Sequence, residues 1–166
     1  MMVQEQYWRE LFQLKTNICF IENQLEVAEK RERQLKMVLA IASSSSIGAW
    51  AIWKDLSYIW TGIIALSQVI SAINPFLPYK NRIKEYSSLV RELEEIMIKS
   101  EFRWHAIAEG ELTSKEINNA RFEIQATKQR ALNKHITTTI PANEKLQNKA
   151  EETATAYLKT FYLVEV

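Results

Sequence analysis

Residues 37–79 read MVLAIASSSSIGAWAIWKDLSYIWTGIIALSQVISAINPFLPY, and Lys54 and Asp55 are the only Lys, Arg, Asp or Glu among them. Two uncharged stretches, 37–53 and 56–79, therefore flank one charged dipeptide. As helices rising about 1.5 Å per residue they reach roughly 25 and 36 Å, against a hydrocarbon core of about 30 Å. The pattern predicts two tilted membrane helices joined by a tight turn. Ser43, Ser44, Ser45 and Ser46 make the first stretch only moderately apolar, which leaves a buried hairpin in a water-soluble bundle as the competing reading. Trp50, Trp53, Tyr58 and Trp60 crowd the turn, where amphipathic rings would anchor at headgroup level. Lys30, Arg31, Arg33 and Lys36 precede the first stretch, and Lys80, Arg82 and Lys84 follow the second. This asymmetry places both termini in the cytoplasm. The start, Met1 to Gln6, lacks a basic region followed by an apolar core, so the first span is expected to serve as its own insertion signal.

Outward from the hairpin, the composition favours helices throughout. The chain of 166 residues has 3 Gly and 3 Pro, too few corners for a fold built from hairpins or Greek keys. Lys and Arg number 21 against 20 Asp and Glu, which argues against a direct nucleic-acid partner. A single cysteine excludes a disulfide framework and a zinc site built on several thiolates.

Tyr7, Leu11, Leu14, Ile18, Ile21, Leu25 and Ala28 recur at alternating steps of four and three, a heptad seam with no Gly or Pro before residue 37. It predicts one long helix running into the first span. Tyr86, Leu89, Leu93 and Ile96 form a matching stripe after the second span, so the hairpin should continue as an antiparallel pair, unless the seam meets another protomer. Glu109-Gly110-Glu111 is the first strong break, and Thr113 or Ser114 can then cap a new helix, Thr113 with Glu116 having the spacing of a capping box. Ile117, Ala120, Ile124 and Ala131 make a thin stripe on the helix that follows, which should end near Thr137, ahead of Pro141. A last helix from Ala142 to about Val164 carries Leu146, Ala150, Ala154, Tyr157, Leu158 and Phe161 on one face. Stripes this weak should pack on the coiled pair or on a neighbouring protomer. The expected organisation is an all-α membrane protein, a two-transmembrane helical hairpin extended by long cytoplasmic helices. Its parts are an amphipathic helix at 1–36, the hairpin at 37–79, the pairing helix at 80–109 and a helical extension at 110–166.

The inventory for catalysis is poor. His105 and His135 lie thirty residues apart with no nearby Cys or Asp, Cys19 sits among apolar neighbours, and the three glycines are scattered. No catalytic residue, metal site or cofactor is expected. Polarity within the spans stands out more. Ser43 and Ser46 on the first, and Thr61, Gln68 and Ser71 on the second, could line a watery path if several hairpins ringed an axis, or hydrogen-bond between helices.

The order of parts resembles the SMODS and SLOG-associating two-transmembrane effectors, the SLATT family. The resemblance runs through Tyr7-Trp8-Arg9-Glu10-Leu11, the basic stretch Lys30-Arg31-Glu32-Arg33, the passage from Pro75 to Arg82, and Tyr86-Ser87-Ser88-Leu89-Val90-Arg91-Glu92-Leu93. It covers roughly residues 5 to 105. It implies a bacterial antiviral effector whose hairpins form a homo-oligomer in the inner membrane and permeabilise it when an associated sensor, often a nucleotide-signal system, detects infection. Set against it stands a non-conducting adaptor, anchored in lipid by the hairpin and recruiting proteins through its coiled coil.

Overall fold

The structure, a computed structural model, describes residues 2–52, 57–73 and 79–162; within these helices the side chains of 42–52, 57, 59, 60, 63 and 79 lie outside the description. The described residues form five α-helices, α1 (Met2–Ile52), α2 (Ser57–Ile73), α3 (Tyr79–Ala108), α4 (Ser114–His135) and α5 (Glu144–Tyr162), with no strand among them. The chain divides into two compact units, residues 1–26 with 84–166, and residues 27–83.

The first unit is an up-down four-helix bundle, and long-range pairings fix its directions. Gln4 donates to the Ile107 carbonyl at 2.8 Å, and the Tyr7 hydroxyl donates to the Ser100 carbonyl at 3.0 Å, so α3 runs antiparallel to α1. Gln6 accepts from Arg121 while Glu10 accepts from Gln125 and Lys128, which sets α4 parallel to α1. Asn23 and Gln24 donate to the Leu146 and Pro141 carbonyls at 3.4 and 3.0 Å. With the Trp8 and Tyr162 rings 5.4 Å apart at the other end, α5 is antiparallel to α1. The short connections between α3, α4 and α5 suit such neighbours.

The seam positions Leu11, Leu14, Ile18 and Ile21 are buried with Tyr86, Leu89, Leu93 and Met97 in one core; Leu25 and Ile96 pack partly buried against it. Ile117, Ala120, Ile124 and Ala131 bury the thin stripe of α4, and Ala150, Ala154 and Leu158 that of α5. Small residues let α5 approach closely, which is how a stripe with so few large side chains finds a place in the core. The expected α5 face fails at its end. Phe161 is 67% exposed and packs beside Tyr157, because Tyr162 takes the place against Trp8.

Local chemistry ends and starts these helices. Gly110, at φ +77°, follows α3, with Glu111 N–H bonded to the Ala106 carbonyl and Gly110 N–H to the Ile107 carbonyl. This is a Schellman ending. The Thr113 hydroxyl accepts from the Glu116 N–H while the Glu116 carboxylate accepts from the Thr113 N–H, completing a capping box. Asn143 caps α5 by accepting from the Leu146 N–H at 3.1 Å.

In the second unit, α1 continues without interruption to Ile52. Of the stretch predicted as one helix across 56–79, the described part is α2, 17 residues from Ser57 to Ile73, and α3 begins its described extent at Tyr79. The Lys54-Asp55 turn, Trp53 and residues 74–78 lie outside the described residues. Among the described residues no helix is long and apolar enough to cross a membrane.

Candidate functional site

Residues 27–83 hold the most distinctive surface. Met37, Val38 and Ile41 on α1 are more than half exposed. On α2, Ile64, Leu66, Val69 and Ile73 are exposed too, with Leu66 at 61%. Ala65 and Ala72 add to them, and an added side chain at Gly62 would meet nothing within 4 Å. At 100° per residue Ala65, Leu66, Val69, Ala72 and Ile73 share a face about 120° wide, and Ile64 lies apart from it. Soluble monomers rarely present contiguous apolar surface on this scale.

Thr61, Gln68 and Ser71 are exposed on the same helix. At 100° per residue, Gln68 lies about 20° from Thr61 and Ser71 about 60° further, so the three share a narrow polar strip. Ser67 sits beside it, its hydroxyl donating to the Ile64 carbonyl at 2.8 Å. Tyr58 is 91% exposed at the start of α2. Ser43, Ser46 and Trp50 lie on the backbone of α1 and Trp60 on that of α2, but their side chains, like all of Trp53, lie outside the described residues.

The four-helix unit carries polar groups of another kind. Glu10, buried, accepts from Gln125 at 2.7 Å and from Lys128 at 3.0 Å. Glu92 lies 2.7 Å from the Lys134 ammonium and 2.6 Å from the His135 ring, and these bonds, Lys134 foremost, hold its carboxyl below the ordinary value. Burial raises the Glu22 carboxyl, partly offset by Lys15, whose ammonium sits 4.0 Å from the centre of the Tyr157 ring. Burial also pushes the Tyr157 hydroxyl up to about 12, helped by the bond it donates to Glu101 at 2.9 Å. Cys19 is buried, its thiol raised by desolvation, which is the environment of a packing residue and not of a nucleophile.

These groups link helices pairwise, and none combines a nucleophile, a base and a cavity. His135 contacts Glu92, His105 lies beside Tyr162, and among the described residues no group of His, Cys, Asp or Glu could hold a metal ion. Sequence periodicity gave no sign of Glu10 meeting Lys128 or of Gln24 meeting Pro141. Each is a polar residue in or beside an apolar seam, and that interruption is the signal available. Comparison with protein-family models, curated proteins and solved structures returned no match.

Proposed function

We propose that this chain is a membrane-anchored helical effector. Residues 37–79 enter the bilayer as a hairpin with both termini cytoplasmic, copies assemble, and the assembled hairpins make a bacterial inner membrane leaky when an associated sensor triggers them. The observation that carries the proposal is the exposed apolar surface on α2 and on α1 at Met37, Val38 and Ile41. A helix with so broad an exposed apolar face belongs in lipid or against other chains. At 17 residues α2 rises about 25 Å, and local thinning of the bilayer or flanking anchors accommodate a helix a few ångströms short. The SLATT resemblance supports the trigger and the antiviral role.

Thr61, Gln68 and Ser71 supply amides and hydroxyls without formal charge, so a path lined by them discriminates weakly between anions and cations. The test is dye release from liposomes by the purified chain, together with retention in carbonate-washed membranes. Gln68→Leu should lower release while membrane retention and cross-linked oligomers persist. Recovery of the chain in the soluble fraction without detergent would refute the membrane role. Membrane retention without leakage would favour the adaptor.

A further inference from the structure

The heptad seam of α1 is consumed inside the bundle, so any contact between copies of the four-helix unit must use another surface. The outward face of α3 has one. Arg91, Glu95, Ile98, Phe102, His105 and Glu109 recur at steps of four, three, four, three and four, and every one of them is exposed. Phe102 is 82% and Ile98 66% exposed, the two largest apolar side chains on the outside of α3 and one helical turn apart. They also form one side of a groove of about 650 Å³ between α3 and α4. This second seam lies opposite the inner one, which runs through Tyr86, Val90, Leu93 and Met97.

We infer that a second copy of this chain docks on this face, α3 against α3 in antiparallel register centred level with Ser100. The sequence of charges selects that occupant and that direction. In antiparallel coiled helices, layers form between positions whose numbers have a constant sum. Around position 100, Ile98 meets Phe102 of the second copy and Phe102 meets its Ile98, giving two apolar layers at the centre. Glu95 then faces His105, and Arg91 faces Glu109 at the rim. Every layer is apolar on apolar or acidic on basic, and the two-fold axis makes the surface self-complementary, as an isologous dimer requires. The parallel alternative stacks Arg91 on Arg91 and Glu95 on Glu95, which repel. The guanidinium of Arg91 and the carboxylates of Glu95 and Glu109 have no ion-pair partner within the bundle among the described residues. The inference concerns residues 84–109 alone and stands whether or not the hairpin enters lipid.

The experiment uses the full chain in detergent micelles, with Cys19→Ala removing the native thiol. Ile98→Cys and Phe102→Cys variants with tags of different length are mixed and oxidised. The expected product is the mixed 98–102 disulfide, with little cross-linking of either variant alone. Sedimentation should show a dimer whose dissociation constant rises about tenfold in Arg91→Glu and in Glu109→Arg, and returns to within about threefold of the parent in the double variant. Circular dichroism controls for folding, since these positions are exposed. Dominant 98–98 and 102–102 products would overturn the antiparallel register. A monomer in every condition would overturn the dimer, and if Phe102→Asp then also abolished liposome binding, the face would belong to lipid.

Discussion

The Lys128 ammonium on α4 sits 3.0 Å from the Glu10 carboxylate on α1, with the Glu10 side chain 7% exposed and that of Lys128 18%. A pair so far out of water is costly to break and cheap to remove. Glu10→Gln or Lys128→Met alone should therefore cost about 2–4 kcal/mol in denaturant unfolding. The double change, Glu10→Leu with Lys128→Met, should cost less than either single one. A double variant as unstable as the sum of its parts would mean that the two groups act independently.

Ile18 is fully buried where α1 faces the core of the bundle. Ile18→Val should cost about 1 kcal/mol, and Ile18→Asp several, because a charge would be left in the core without a partner. Helical circular dichroism should survive the first change and collapse for residues 84–162 in the second. Protease sensitivity of α4 and α5 reads out that collapse.

At the α3–α4 corner, Gly110 holds a left-handed backbone in open space, with nothing within 4 Å of an added Cβ. Its substitution is thus penalised by backbone conformation alone. Gly110→Ala should cost about 1 kcal/mol and Gly110→Asn less, since asparagine tolerates this region. Thr113→Ala, which removes one half of the capping box, should cost about 1 kcal/mol as well. Thermal unfolding midpoints of the three variants give the comparison.

Burial raises the Tyr7 hydroxyl from 10.0 to about 12, since a phenolate would lose its water. The folded state therefore keeps a proton that the unfolded chain releases. The stability from this group is complete below pH 10 and is lost as the pH rises through about 12. Tyr7→Phe should flatten the alkaline fall in stability while also losing the bond to the Ser100 carbonyl. Unfolding curves at pH 9 and 11 for both proteins decide it.

Much of the architecture was legible because helices announce themselves locally. Residue spacing marked the α4 stripe at Ile117, Ala120, Ile124 and Ala131, and a three-residue interval between Thr113 and Glu116 marked the capping box. Burial of the α5 stripe depends on Ala150 and Ala154, whose small size signals close approach only once the partner helix is known. The polar bridges were not legible, since Glu10 and Lys128 are 118 residues apart and only the folded bundle brings them together. Within the stretch 56–79 expected to be helical, α2 covers Ser57–Ile73, and residues 74–78 lie outside the described residues. The surface proposed as a membrane site was legible as composition, while the outer α3 seam was hidden by the stronger inner one.

The bundle is assembled from two separated pieces of chain, 1–26 and 84–166, with the other unit encoded between them. A ribosome adding about 5–20 residues per second makes the first piece on the order of ten seconds before the last helix that covers it. Until α3 is made, Leu11, Leu14 and Ile18 lack the Tyr86, Leu89 and Leu93 with which they form the core. Residues 37–79 emerge within the same interval. The order of synthesis thus releases them before the two ends can close into a bundle. Moving residues 1–26 behind residue 162 in a rearranged gene would reverse that order while leaving every contact of the bundle available.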